Sequence, residues 1–272
     1  MELKATRYDI RGEVAVIFLA RPHRSNAWTG RIHSEYRILL DKANNDRSVG
    51  AIVVSGEGDS FCVGGDSEAL QGHSARGSYD SGVSSDIALP GYGIDERFDA
   101  TFAYHYGLNK PIIAAINGAA AGVGLALAAF ADIRFAVPKA KLTTAHGKLN
   151  LPAEYGLSWV LPRIVGLGRA NDLLLTSRVF MSEEAEKIGF VNQLFSSEQL
   201  LYETEKYARE LVEKISPDSL RQTRWQIYRD QHDTVARSVE NSEELLESMM
   251  KDKDFREGVR ALVEKRIPRW KE

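Results

Sequence analysis

Three features of this 272-residue chain predict an α/β fold with parallel strands. The first half reads strand, helix, strand, repeated. Its strands are short continuous runs of β-branched and apolar residues. Glycine-rich turns carry the chain from strands into helices.

Residues 14–19, VAVIFL, form the first apolar run, and Arg21-Pro22 ends it as a strand. From 29 to 45, Ile32, Tyr36, Leu39, Leu40 and Ala43 recur at helical spacing and leave Arg31, Glu35, Asp41 and Lys42 for water. AIVVS at 51–55 is a second buried strand. GEGDSFCVGGD at 56–66 then turns into a helical stretch at 67–70, with Asp66 as its cap. Residues 71–96 are rich in glycine, serine and aspartate without periodicity, which reads as a long loop, either a lid or a surface insertion. Residues 97–106 read as one helix, with Phe98, Phe102 and His105 about a turn apart and His105 at the edge of the core.

The chain is organised around 111–132, PIIAAINGAAAGVGLALAAFAD. Ile112, Ile113 and Ile116 make a buried strand, and Asn117-Gly118 ends it. Between Gly118 and Gly124 nothing larger than valine occurs, so a ligand or another backbone can approach the main chain. A helix begins near Gly122. Its first amides have no partner within the helix and suit an oxygen that gathers negative charge, although tight packing of a buried helix on a sheet explains the same small residues.

Residues 133–137 and 141–144 are short strand-like runs about Pro138. AHGKLNLPAEYG at 145–156 has the composition of a loop that presents side chains. Helices follow at 157–165 and 170–176, another starts at Ser182, and a last strand is expected over 189–195. After Ser197 the pattern is helical throughout, at 200–215, 218–229, 235–250 and 254–265. Charge lies on one face and Leu, Val, Ile and Met on the other, a surface for the core or a neighbouring subunit.

A net charge of −3 gives no reason to expect nucleic acid. The first residues lack the apolar core of a signal peptide, and no apolar run reaches the roughly 18 residues of a membrane span, so a cytoplasmic location away from membranes is expected. The single cysteine, Cys62, excludes an internal disulfide and reads as a small buried filler. Six scattered histidines make a metal site unexpected.

SFCVGGD at 60–66 and AAINGAAAGVGLALAAFADIRFA at 114–136 resemble the paired signatures of the crotonase family, the enoyl-CoA hydratase/isomerase superfamily. RPHRSNA at 21–27, LSWVLPRIVG at 157–166, SRVFMSEEAEKIGFVNQLF at 177–195 and DFREGVRALVEKRIPRW at 254–270 extend the likeness, in family order, over nearly the whole chain. The resemblance implies a spiral core of ββα turns at 1–196 holding an acyl-CoA site. It also implies a helical C-terminal region at 197–272 used for assembly into a homotrimer or a dimer of trimers. The substrate would be an acyl-CoA thioester, with coenzyme A part of that substrate and no separate cofactor.

The resemblance also assigns residues. The amides of Gly65 and Val123 would form an oxyanion hole for the thioester carbonyl, Val123 standing where the family usually has glycine. Arg24, Asn26 and Ala27 fall in the region that lines the CoA nucleotide. The two glutamates of typical hydratases are missing: their positions fall on Ala126 and His146. Glu154 occupies the place of a catalytic aspartate in dienoyl-CoA isomerases and of the nucleophilic aspartate in chlorobenzoyl-CoA dehalogenases. Glu154 is therefore the candidate acid/base, with His146 a second acid or base or a structural hydrogen-bonding group. A solvated loop residue or a partner of Arg163 is the plain alternative for Glu154. The activity implied is single-carboxylate proton transfer on an enoyl-CoA. Dehalogenation or thioester hydrolysis with Glu154 as nucleophile, and a catalytically silent CoA-ester binder, are the alternatives. Tyr155, Trp159 and Trp28 are expected as pocket wall or core.

Overall fold

A computed structural model describes residues 2–84, 86–87 and 89–270 of the chain. Strands β1 (Thr6–Arg11), β2 (Val14–Leu19), β3 (Ala51–Gly56), β5 (Ile112–Ile116), β7 (Ile133–Ala136) and β10 (Gln193–Leu194) form a six-stranded sheet in the order β1-β2-β3-β5-β7-β10. All neighbours are parallel except the β1/β2 hairpin. Strands β4 (Ser60–Cys62), β6 (Ala119–Ala121), β8 (Lys141–Thr143) and β9 (Phe180–Met181) form a second sheet of four. The chain passes from a strand of the first sheet to a strand of the second and then into a helix, three times over. The units are β3-β4-α2 (Ser67–Arg76), β5-β6-α3 (Val123–Ala129) and β7-β8 followed by α4 (Leu157–Val165). This is the α/β spiral of ββα turns that the resemblance implies.

Both faces of the large sheet are covered, which is why its strands read as continuous apolar runs. In β2, Ala15, Ile17 and Leu19 face a core shared with α1 (Gly30–Asn45), while Val14, Val16 and Phe18 face a second core sealed by Leu200, Ala208 and Val212 of α7 (Leu200–Lys214). Phe195, just after β10, packs on this second core together with Leu200 and Leu201 of α7. Helix α8 (Pro217–Asp230) is fastened by the buried Arg224. Its Nε donates to the Asp132 carboxylate at 2.8 Å, Nη1 to the Leu108 carbonyl at 2.7 Å and Nη2 to the His105 carbonyl at 2.6 Å. Tyr228 stacks on Tyr106 with ring centroids 3.6 Å apart. Among the described residues no helix is long and apolar enough to cross a membrane.

Several sequence expectations change. Glu35, expected to face water, is fully buried, its carboxylate accepting from the Lys4 and Ala5 amides and the Thr6 hydroxyl, and His105, expected at the edge of the core, is fully buried as well. Residues 97–106 are not one helix but two 3-10 turns, Glu96–Phe98 and Ala103–Gly107, broken at Phe102, whose φ is +62°. The spacing of Phe98, Phe102 and His105 reflects burial, which short turns satisfy equally well. The loop expected from 71 begins later, because α2 runs on to Arg76 and stops at the left-handed Gly77; none of its residues is buried, so it carries no amphipathic signal. Two residues of that loop, 85 and 88, lie outside the described residues. The last strand narrows to Gln193–Leu194, and β1 is a strand that no apolar run marks.

Candidate active site

Two glycine turns meet where the strands of the second sheet end. After β4, the Trp28 amide donates to the Gly64 carbonyl at 2.7 Å and the Asp66 amide to the Trp28 carbonyl at 2.9 Å, a parallel bridge that pairs Trp28 with Gly65. Such a bridge uses the groups on either side of Gly65 and turns Gly65's own amide away. Among the described residues that amide meets no protein acceptor, and Gly65 is exposed. After β6, Gly122 has φ +50° and ψ −119°, a conformation that a side chain would strain. Val123 is the first residue of α3, so its amide has no partner within the helix.

The turns are in contact. A Cβ built on Gly64 would lie 3.3 Å from the Ala121 carbonyl oxygen, and one on Gly124 only 2.1 Å from the Cys62 carbonyl oxygen. Any side chain at 124 would push β4 and α3 apart. Cys62 fills this junction, fully buried, with its thiol pushed up to about 12 by burial.

The framework around Gly65 is saturated with hydrogen bonds. Asp66 caps α2 by accepting from the Glu68 amide at 3.0 Å, and its carboxylate also accepts from Arg21 and Arg24, each at 2.9 Å. These donors outweigh burial and hold its carboxyl below the ordinary range. Asn26 is fully buried. Its Oδ1 accepts from the Arg21 amide at 2.8 Å, and its Nδ2 donates to the carbonyls of Glu57 at 2.9 Å and Ser60 at 2.8 Å. The Ala27 carbonyl accepts from Arg21 Nη1 at 2.9 Å. Of the three residues assigned to the CoA nucleotide, Asn26 thus has its side-chain groups engaged inside the loop and Ala27 is buried. Arg24 reaches the surface, 34% exposed, although paired with Asp66 and Glu68.

The loop carrying His146 and Glu154 is anchored at its base. The Gly147 amide donates to Ser177 Oγ at 3.0 Å, and Thr144 Oγ1 donates to the Leu173 carbonyl at 3.2 Å. Ala145, Asn150 and Tyr155 all take positive φ, at +60°, +56° and +52°. His146 is buried and its Nδ1 has no hydrogen-bond partner. Glu154 opens a single 3-10 turn, Glu154–Gly156, and is part-buried. Among the described residues no donor reaches its carboxylate. Burial pushes the Glu154 carboxyl above its ordinary value, against the opposing charge of His146 nearby. Arg163 does not pair with it; that guanidinium lies 3.9 Å from the Trp159 ring centroid and donates to the Trp159 carbonyl.

Tyr155, next to Glu154, packs edge-on against Phe102 at 5.3 Å, and Phe102 packs against Trp28 at 5.6 Å. A wall of rings therefore runs from the Gly65 turn to the acid. His105 is fully buried behind it, Nε2 3.0 Å from the Tyr36 hydroxyl, and burial holds it neutral. Ala126, also fully buried, offers no carboxylate from α3. No local pattern marks the hydrogen bond between the hydroxyls of Tyr79 and Tyr155, 2.8 Å long across 76 residues of chain. Among the described residues no group of three or more His, Cys, Asp or Glu is placed to hold a metal ion. An open cleft of about 470 Å³ lined by Asp59, Asn117, Lys139 and Lys141 includes none of the candidate residues.

Comparisons with known proteins agree with this architecture. The chain is 28% identical over 257 residues to a 1,2-epoxyphenylacetyl-CoA isomerase of Escherichia coli, covering 94% of each protein. It is 37% identical over 194 residues to a protein of Mycobacterium tuberculosis named as a probable enoyl-CoA hydratase, covering 70% of this chain and 65% of that one. The fold matches the crystal structure of an enoyl-CoA hydratase from Bacillus anthracis with a TM-score of 0.86 at 24% identity, over 98% of this chain and 99% of the other. The profile of the enoyl-CoA hydratase/isomerase family matches residues 9–272, and the chain belongs to that family of enzymes.

Proposed function

We propose that the protein isomerises an acyl-CoA thioester by moving one proton, with Glu154 as the acid/base and the amides of Gly65 and Val123 as the oxyanion hole. The carboxylate takes a proton from a carbon adjacent to the thioester. The C–H electrons pass to the carbonyl oxygen, giving an enolate. The protonated acid then returns the proton to another carbon of the conjugated system as the electrons move back. Charge gathers on one oxygen in the transition state, and each amide aimed at it is worth about 2.7–4 kcal/mol. Coenzyme A enters as part of the substrate, with Arg24 the basic residue at the surface of the Arg21–Trp28 loop.

The observation that carries this reading is the state of Glu154: part-buried, without a hydrogen-bond donor, its pKa raised toward the range where a carboxyl both takes and gives a proton. The isomerase named among the relatives supports it. Glu154→Gln assayed with 3-enoyl-CoA and dienoyl-CoA thioesters should lose turnover by about 10²–10⁴-fold. Unchanged turnover would reject the assignment. A second reading, hydration, is favoured by the nearness of His146 to Glu154, which puts a second acid or base candidate beside the carboxylate. Formation of a 3-hydroxyacyl-CoA from a 2-enoyl-CoA in the same assay separates the two.

Assembly as a homotrimer or a dimer of trimers is part of the proposal. Helix α9 (Val235–Met249) has no buried residue, and it exposes Val235, Val239 and Leu246 near Leu262 and Val263 of α10 (Lys253–Glu264) in sequence. A solution mass equal to one chain would remove it.

A further inference from the structure

We propose that Tyr79 is a positioning residue for Glu154, its hydroxyl strapping the segment that follows α2 onto the loop that carries the acid. The inference rests on the acid/base reading of Glu154. Helix α2 starts directly after Gly65 and Asp66 and ends at Gly77, so Tyr79 leads back from the first glycine turn. Its ring sits 5.3 Å from that of His73, whose Nε2 lies 2.9 Å from the Asp80 carbonyl oxygen. Tyr79 is 63% exposed, so burial of its ring does not account for its place. Its hydroxyl contact with Tyr155, 2.8 Å, does.

Tyr155 is thereby held at both ends, by Phe102 against its ring and by Tyr79 at its hydroxyl, while its own backbone takes φ +52°. Glu154 is the preceding residue; its carbonyl accepts from the Leu157 amide, and its side chain has no hydrogen bond among the described residues. What fixes the acid is therefore the tyrosine beside it. Among the described residues the ionisable groups around Glu154 are His146 from the same loop, Tyr155 beside it and, through Tyr155, Tyr79 from the covering segment.

The covering segment is fastened elsewhere too. Gly82 lies so close to Gly30 that a Cβ on Gly30 would sit 2.4 Å from the Gly82 oxygen, and Gly91 meets Gly107 in the same way at 2.3 Å. Arg37 donates to the Ile87 carbonyl, and Asp95 pairs with Arg229 at 3.3 Å. Removing one hydroxyl therefore leaves the segment in place and loosens Tyr155 alone. Water then reaches Glu154 more freely and its pKa falls toward the ordinary value.

The test compares Tyr79→Phe, Tyr155→Phe and the double variant of the full chain with 3-enoyl-CoA and dienoyl-CoA thioesters. Each single change should lower kcat about 2- to 10-fold, the range of one hydrogen bond, with KM little moved. Each should shift the acid limb of the kcat profile to lower pH, and the double variant should be no worse than either single one. Hydrogen exchange at the amides of 153–157 should quicken in both singles, a readout that needs no turnover. Additive losses, an unmoved acid limb or unchanged exchange would overturn the strap. If Glu154→Gln is inactive while Tyr79→Phe is unaltered, the strap fails alone; if Glu154→Gln stays active, both ideas fall.

Discussion

The loop from Arg21 to Trp28 and the loop from Ala145 to Gly156 are built from similar backbone and opposite chemistry. Both use non-glycine residues at positive φ: Ser25 and Asn26 in the first, Ala145, Asn150 and Tyr155 in the second. In the first, Asn26 makes three hydrogen bonds, and Asp66 beside it binds two arginines and an amide. In the second, His146 keeps an unpartnered ring nitrogen and Glu154 has no donor. The satisfied loop holds the Gly65 turn in place. The other loop leaves both candidate side chains short of partners, and an unmet polar group in a native structure is where a functional explanation belongs.

Mutations sharpen the contrast. Asn26→Ala should cost most, about 3 kcal/mol, because it removes three buried hydrogen bonds and strands their partners. The melting temperature should fall by roughly 6–12 °C, and a fall of less than 2 °C would show that the loop is not the frame described. A smaller effect of opposite sign is expected for Glu154→Gln. Its folded pKa is raised above the unfolded value, so the charged form is destabilised by folding. Stability is fully present in acid and falls as pH rises through the unfolded and then the folded pKa. The glutamine variant should therefore melt slightly higher than wild type at neutral pH, with the gain vanishing below the ordinary carboxylate range; a lower melting temperature at neutral pH would mean the carboxylate is held by donors after all. His146→Leu should change stability least, within about 0.5 kcal/mol, since it deletes a group that lacks a partner on one side. A large loss there would make His146 a structural residue.

The sequence made some of this legible and hid the rest for physical reasons. Strand β2 and helix α4 have the bounds that their apolar runs predict, because β2 is buried throughout and α4 buries the apolar face of Leu157, Val160, Leu161 and Val165. Strand β1, TRYDIR, escaped notice because it is half-exposed and charged and takes its order from pairing with β2 across Gly12. Of the second sheet only β8 shows, as the strand-like run at 141–144; β4, β6 and β9 are two or three residues long, too short for any period to show. In the site, the glycines and the cap at Asp66 could be read locally. The partners of Arg24 and Tyr79 could not, since they lie 42 and 76 residues away and only the fold brings them together.

The proposed chemistry stands on Glu154 being a part-buried carboxyl that no donor reaches among the described residues. The most direct measurement is the pH titration of its side-chain carboxyl by carbon NMR on glutamate-labelled protein, assigned by difference from Glu154→Gln. The expected midpoint lies above the roughly 4.3 of a free glutamate. A midpoint at or below that value would contradict it.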